Sequence, residues 1–380
     1  MKAAVVHSII EALAGSERVA LSIARLLSSM GFDVELILVS GSKDLLHSLS
    51  GEIEGVKIRI LSPLRMPGLG IYQRLVTFIA SPKIDADVVV SAHGDLLPYR
   101  SSSGLPAIHY CHYPLAVVPR YKELLGKYST GSWRIYYEIY RIFSSPLARR
   151  AAEEGIVVAN SRFVAKLIKA SLGVDPIVIY PPVEVERFSK IPIDTERDDA
   201  VLMLGRYSPE KGYEEAIKLF LELPRWIRLR IVGSLTKTEL GYYKRLASLV
   251  KKLGLENRVE LLYNVPRHRL EDIMARSSVL LHMYRGEHFG IAVVEAMAAG
   301  LVPVVWRFGG PSEYVPSEYQ FGSIEEARDK ILKALKAPAS ERMRVRRIAM
   351  GFSEAVFERR FSSLVETVLE KPMTRARSNN

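Results

Sequence analysis

Hydrophobic and polar positions alternate along the chain in blocks that predict strands and helices in regular succession. Near the start, the apolar run KAAVVHS predicts a strand, and the spacing in ERVALSIARLLSSM predicts an amphipathic helix that ends at Gly31. VELILVS predicts the next strand, and ADVVVSA, GIVVAN and PIVIY predict others further on. Strands that alternate with helices are typical of doubly wound α/β folds with parallel sheets.

A second series of the same kind begins after the polar stretch 190–199, where AVLMLGR, RLRIVG, RVELLY, SVLLHMY and VPVVW predict strands separated by helices. We therefore predict two Rossmann-like domains, residues 1–185 and 198–352, joined by a linker around 183–199. No strand follows the helical segment 353–370, so we expect residues 353–380 to return to the first domain. Two such sheets would face each other across a cleft at the carboxyl ends of their strands, where ligands of this fold bind.

Two glutamates stand in an otherwise apolar segment of the second domain, EHFGIAVVEAMAAG. Glu287 lies in the loop after a predicted strand, and Glu295 lies in the predicted helix Ile291–Ala299. A buried carboxylate is costly unless it is paired, and adjacent hydroxyls of a sugar or ribose would satisfy it. For Glu295 alone, an internal salt bridge to an arginine such as Arg307 is an equally good interpretation.

The segment GRYSPEKG, residues 205–212, adds two cations at the same edge of the sheet. Arg206 ends the first strand of the second domain, and Lys211 is predicted to open the following helix. Arginine and lysine suit phosphate oxygens, and the first turn of the helix at Ile291 offers backbone amides to an anion. A solvated helix start is the alternative for Lys211 alone. Together, the charged residues predict a site for a diphosphate that carries a sugar.

These segments resemble the glycosyltransferases of family 4, the group 1 transferases, whose GT-B architecture has two facing Rossmann-like domains. The resemblance extends over nearly the whole chain, and within the family it is greatest to the α-1,2-mannosyltransferases that extend a dolichol-linked oligosaccharide. The segments that carry it are AGSERV, HYPL, VANSRF, IYPPVEVERF, GRYSPEKG and EHFGIAVVEAMAAG. The resemblance implies a retaining enzyme that moves a hexose, foremost mannose from GDP-mannose, from a nucleotide sugar to a saccharide or lipid-linked saccharide.

The resemblance also implies the catalytic residues. Arg206 and Lys211 would neutralise the leaving diphosphate, and Glu287 would bind hydroxyls of the transferred sugar. His112, in the first domain, would polarise that sugar. Since the two cations do what a metal ion does in other transferases, neither a metal nor a cofactor is expected. The residue-based alternative for His112 is a strand end that packs its ring in HYCHYP beside His109.

Further residues would bind the donor nucleotide sugar. By the resemblance, Glu295 would contact the ribose, and the backbone amides of Phe289, Gly290 and Ile291 would meet phosphate and sugar oxygens. Gly15 would let the backbone approach the donor closely. Family members usually carry two or more glycines before Ser-Glu-Arg, whereas here Gly15 follows Leu-Ala.

Three other functions are open from the residues. A nucleotide-sugar epimerase could have the same two-domain frame, the transferase could use a UDP-sugar, and a non-catalytic basic protein could merely bind anions. The charged residues at the sheet edge argue against the last. Nucleotide release that depends on an acceptor indicates transfer, whereas a changed sugar without nucleotide release indicates epimerisation.

Charge and composition narrow the partners. The net charge of +11 is spread evenly, with +5 in residues 1–190 and +6 in the remainder, and no nucleic-acid-binding motif is present. Small acidic ligands or an anionic lipid surface suit this charge, and nucleic acid is not an expected partner. No apolar run reaches the length of a membrane span, and the N-terminus does not read as a secretory signal, so we expect a cytoplasmic protein.

Cysteine and amide content add two expectations. Cys111 is the only cysteine, so an internal disulfide is impossible, and we expect a small buried side chain there. Asparagine and glutamine together number 7, a depletion of heat-labile residues that suggests a thermophilic source.

The segment 117–150 carries 7 basic and 2 acidic residues and is rich in aromatic residues. Five of them are predicted to lie near one helical stripe: Trp133, Tyr136, Tyr137, Tyr140 and Phe143. Such a helix suits peripheral contact with an anionic membrane at its cytoplasmic face. An equally good interpretation is a helix that packs its aromatic rings on the sheet of the first domain.

Overall fold

The computed structural model describes residues 1–10, 15–41, 53, 55–61, 70–119 and 122–370. These residues divide into two compact units. Met1–Pro182 and the C-terminal residues from Ala355 form the first, and Val183–Glu354 form the second. The stretch 183–199, predicted as a linker, is therefore part of the second unit. Its short helix Val185–Phe188 packs against the helices Ile291–Ala298 and Ala339–Met350.

The elements follow the predicted alternation closely. Those of the first unit are β1 (Lys2–Ile10), α1 (Gly15–Ser29), β2 (Asp33–Gly41), β3 (Val56–Ile60), α2 (Gln73–Ala80), β4 (Lys83–Ile84), β5 (Val88–Ser91), β6 (Arg100–Ser101), β7 (Ile108–Cys111), α3 (Lys122–Leu125), α4 (Gly131–Glu154), β8 (Ile156–Ala159), α5 (Arg162–Leu172) and β9 (Ile177–Val178). In the described residues, seven of these strands form a parallel sheet in the order β3-β2-β1-β5-β7-β8-β9.

The second unit contains α6 (Val185–Phe188), β10 (Ala200–Leu204), α7 (Tyr213–Leu219), β11 (Arg228–Gly233), α8 (Leu240–Lys252), β12 (Val259–Tyr263), α9 (Arg267–Ala275), β13 (Val279–His282), α10 (Ile291–Ala298), β14 (Val302–Trp306), β15 (Gln320–Phe321), α11 (Ile324–Leu335) and α12 (Ala339–Met350). The helix α13 (Glu354–Glu370) follows. The sheet is parallel, in the order β12-β11-β10-β13-β14-β15. Its strands β10, β13 and β14 are buried throughout, because helices cover both faces.

The period-two pattern of β1 explains the core of the first unit. Val5 belongs to a cluster that contains Phe357 and Phe361, so α13 packs on that face of the sheet. Val6 points to the opposite face, in a cluster that includes residues of α4. Both domains are thus layered α/β structures, as the sequence predicts.

The structure of helix α4 differs from the aromatic stripe that we predicted for segment 117–150. Residues 120 and 121 of this segment lie outside the described residues. Tyr137 and Tyr140 are fully buried in the core and Tyr136 is partly buried, whereas Trp133 and Phe143 are exposed. The five aromatic residues therefore do not share one outward face. In the described part of the chain, no helix combines the length and apolar composition that a membrane crossing requires.

Candidate functional site

The segment with the two glutamates folds as strand, loop and helix. β13 ends at His282, and α10 begins after Gly290, whose φ of +90° is unfavourable for other residues. The Tyr314 hydroxyl donates to the carbonyl oxygens of Phe289 at 2.7 Å and Gly290 at 3.2 Å, which fixes this entry to the helix. The first amides of a helix have no partner within it, so this turn can bind an anion.

Glu287 is the centre of a compact polar cluster. Its Oε2 accepts a hydrogen bond from Lys211 Nζ at 3.0 Å and lies 3.2 Å from His282 Nε2. Its Oε1 accepts from the backbone amide of His288 at 3.1 Å. The carboxylate side chain is only 15% exposed, so these groups replace much of its hydration. The structure thus brings together Glu287 and Lys211, both predicted as site residues, and adds His282.

The electrostatics of the cluster keep Glu287 ionised. Burial alone would raise the pKa of its carboxyl group, but Lys211, His282 and His288 outweigh burial and hold the pKa well below its usual range. Burial also lowers the pKa of His282, against the attraction of Glu287, so the imidazole is neutral at pH 7. A fixed negative oxygen pair beside a lysine can bind both hydroxyls and phosphate.

Lys211 does not open a helix, contrary to the prediction. It lies in the single 3₁₀ turn Pro209–Lys211, which Gly212 separates from α7. Its ammonium also lies 4.9 Å from the ring centroid of Tyr284, a cation–π distance. This turn places the ammonium of Lys211 beside the carboxylate of Glu287.

Arg206 is more loosely placed than the other predicted residues. Its side chain is 60% exposed, and its nearest acidic group is Glu210, with 3.7 Å between Nη2 and Oε1. An exposed pair at that distance stabilises little, so the guanidinium is available to a ligand.

Glu295 is half-buried on α10. Arg307, the alternative partner from the sequence, instead donates to Glu326 Oε2 at 2.9 Å. Arg307 therefore forms its salt bridge with Glu326 rather than with Glu295.

The loop that contains Gly309 and Gly310, which the sequence did not indicate as part of the site, is hydrogen-bonded to the backbone of Glu287. Glu287 forms a parallel bridge with Gly309, and the Gly310 amide donates to the Glu287 carbonyl oxygen at 2.7 Å. A Cβ atom at Gly310 would lie 2.2 Å from the carbonyl oxygen of His288. The only sequence signal was the glycine pair after VPVVW, which reads equally well as an ordinary turn.

In the first unit, His112 directly follows β7 and is half-buried, with its ring 5.2 Å from that of Tyr110. Its neighbours His109 and Cys111 are buried within the strand, and burial lowers the pKa of His109 to about 4. His112 alone of these three thus lies beyond the strand end. Gly15 is the first residue of α1, and residues 11–14 before it lie outside the described residues.

Two family models cover most of the chain. One, described as Glycosyltransferase Family 4, matches residues 13–187, and the other, described as Glycosyl transferases group 1, matches residues 185–350. The chain belongs to the family 4 glycosyltransferases. The second model contains Lys211, Glu287 and Glu295, so the polar cluster lies in the group 1 domain of this family.

Several curated relatives carry the name GDP-Man:Man(3)GlcNAc(2)-PP-Dol alpha-1,2-mannosyltransferase. That of Dictyostelium discoideum is 26% identical over 280 residues, 67% of this chain and 54% of the relative. That of Mus musculus is 30% identical over 239 residues, 56% of this chain and 49% of the relative. The chain thus spans about half the length of the curated relatives it matches.

Solved structures confirm the GT-B fold of the family. Anabaena Alr3699/HepE in complex with UDP and glucose matches with a TM-score of 0.70 at 18% identity, over 97% of this chain and 100% of that chain. WaaG, a glycosyltransferase involved in lipopolysaccharide biosynthesis, matches with a TM-score of 0.66 at 17% identity, over 96% and 99% of the two chains. At these identities the likeness concerns the fold alone.

Proposed function

We propose that the chain is a retaining glycosyltransferase that moves mannose from GDP-mannose to a saccharide, foremost a lipid-linked one. The observation that carries this proposal is the Lys211–Glu287–His282 cluster beside the first turn of α10, within the group 1 domain. The cluster offers a cation for a diphosphate and a fixed carboxylate for sugar hydroxyls. The names of the curated relatives support the choice of mannose, GDP and a lipid-linked acceptor.

In the proposed reaction the leaving group is the nucleoside diphosphate. Lys211 and Arg206 stabilise its growing negative charge, and stabilisation of this kind is commonly the largest contribution to the rate. Glu287 holds hydroxyls of the transferred sugar, and His112 polarises that sugar. The cations make a metal ion unnecessary.

The remaining contacts would position the donor. Glu295 binds the ribose, and the amides of Phe289, Gly290 and Ile291 bind phosphate and sugar oxygens at the start of α10. Gly15 lies beside the donor. These roles are supported by the family motif that contains the residues.

Calorimetric titration with a panel of nucleotide sugars tests the donor. In buffer with EDTA, we expect GDP-mannose to bind at least tenfold more tightly than UDP-glucose or UDP-galactose. Acceptor-dependent release of GDP should follow. Preference for a UDP-sugar would replace the proposed donor, a requirement for a divalent cation would contradict the metal-free site, and conversion of the sugar without GDP release would indicate an epimerase.

A lipid-linked acceptor places the enzyme at a membrane, and we propose peripheral contact with the cytoplasmic face of an anionic one. The outward face of α4, opposite the buried Tyr137 and Tyr140, supports this. It carries four exposed apolar side chains at helical spacing: Ile135 at 66%, Ile139 at 46%, Ile142 at 68% and Phe143 at 62% exposure. Arg134 and Arg149 on the same helix are exposed as well and suit anionic headgroups.

Co-sedimentation with vesicles tests the contact. We expect the wild-type protein to bind phosphatidylglycerol vesicles at low salt. Replacing Ile135, Ile139 and Ile142 together by serine should lower binding more than tenfold, because full burial of one isoleucine contributes about 1.5–3 kcal/mol. As a matched control, Leu221→Ser with Trp226→Ser removes exposed apolar side chains of the second unit and should leave binding unchanged. Equal binding by both variants would refute this face as the contact.

A further inference from the structure

The loop after β5 packs directly on the residue that we propose to polarise the sugar. The Gly94 carbonyl oxygen accepts hydrogen bonds from the Tyr113 amide at 3.2 Å and from Cys111 Sγ at 3.3 Å. These two donors are the residues immediately before and after His112. A Cβ atom at Gly94 would lie 3.5 Å from His112 Cβ. Since β5 and β7 are neighbouring parallel strands, this loop and His112 lie at the same edge of the first sheet.

A buried acid follows in the same loop. Asp95 is 2% exposed, and its Oδ2 accepts a hydrogen bond from the Tyr140 hydroxyl at 2.6 Å. Burial raises the pKa of this carboxyl group, while Arg74 and Tyr140 act in the opposite direction. Residues from α2, the loop and α4 thus meet in one network inside the first unit.

Arg74 is the member of this network that reaches solvent. Its side chain is 25% exposed, and its Nη1 lies 3.6 Å from Asp95 Oδ2, beyond hydrogen-bond distance. Nη1 is buried and has no hydrogen-bond partner among the described residues. Nη2 lies 3.6 Å from the Cβ position at Gly94 that also approaches His112. A guanidinium that lies beside an acid, and whose Nη1 has no hydrogen-bond partner in the described part of the chain, is suited to an anionic oxygen.

We propose that Arg74 binds a phosphate group of a substrate at this edge, held in place by Asp95 and Tyr140. The inference rests on the proposed function, in which both substrates carry diphosphates. Lys211 and Arg206 already serve the diphosphate of the donor, so the lipid diphosphate of the acceptor is the phosphate left for Arg74. The planar guanidinium would hold two phosphate oxygens, which a single ammonium cannot do.

Titration of the full chain with two probes tests this assignment, farnesyl diphosphate for the acceptor phosphate and GDP for the donor phosphate. Arg74→Ala should weaken farnesyl diphosphate at least tenfold and leave GDP within twofold. Lys211→Ala should show the reverse. Arg59→Ala, which removes an exposed arginine paired with Glu35, is the matched control and should change neither affinity.

Arg74→Lys keeps a positive charge beside the buried Asp95, so it guards against loss of folding in the alanine variant. We expect it to keep the wild-type melting temperature and to weaken farnesyl diphosphate about fivefold, because it loses the two-pronged contact. Weakening of GDP rather than farnesyl diphosphate would keep Arg74 as a phosphate ligand but assign it to the donor. Unchanged affinity for both probes, or a wild-type protein that binds neither, would overturn the proposal.

Discussion

Replacing Lys211 by alanine is expected to lower turnover at least about a hundredfold. The ammonium lies 3.0 Å from Glu287 Oε2. Lys211 is less exposed than Arg206, the other predicted phosphate ligand. Its removal takes away charge that opposes the negative diphosphate as the bond to the sugar breaks. Steady-state release of GDP at saturating donor measures this loss.

The control for Lys211 is Lys218→Ala, which removes an exposed lysine from the last turn of α7. It should retain wild-type turnover. Circular dichroism and melting temperature establish that the Lys211 variant is folded, which matters because Glu287 loses a charged partner. A folded Lys211→Ala enzyme with near-normal turnover would exclude the proposed role of the lysine.

Glu287→Gln should also lose at least about a hundredfold in turnover. The amide can still accept from the His288 backbone, but it cannot provide two carboxylate oxygens to sugar hydroxyls or balance Lys211. Glu326→Gln changes another acid of the same unit, paired with Arg307 at 2.9 Å, and is expected to be fully active. Equal activity of the two variants would refute the assignment.

The same substitution should alter the pH dependence of stability. Because the pKa of Glu287 is held well below its ordinary value, its ionised form stabilises the fold above the unfolded pKa. That contribution is lost as the pH falls through the folded pKa. The difference in unfolding free energy between wild type and Glu287→Gln should therefore be constant near neutrality and shrink in acid. A difference that grows as the pH falls would contradict the ion pair.

The position of the main site could be predicted because its elements follow local rules. Continuous apolar strands and a glycine before an apolar helix specify β13, the loop with Glu287 and α10. The contact of His282 with Glu287 could not be predicted from the sequence. A histidine within a buried strand gives the same hydrophobic pattern whether it packs in the core or contacts an acid. Arg74 and Asp95 could not be predicted either, because contacts between α2 and the loop after β5 depend on tertiary packing.

Helix α4 shows a second limit of sequence patterns. Its inner residues Tyr137 and Tyr140 and its outer residues Ile139 and Ile142 are all apolar, so periodicity cannot tell the two faces apart. The sequence pattern emphasises the aromatic residues, but three isoleucines, Ile135, Ile139 and Ile142, are exposed alongside Trp133 and Phe143. The structure was needed to assign them.

The backbone contact of Glu287 with Gly309 and Gly310 has a consequence for enzyme engineering. Since backbone atoms of the two loops touch where even a methyl group has no room, neither loop can be exchanged alone without distorting the other. Chimeras designed to accept a new sugar should therefore transplant residues 286–290 and 308–311 from the same parent, as one cassette.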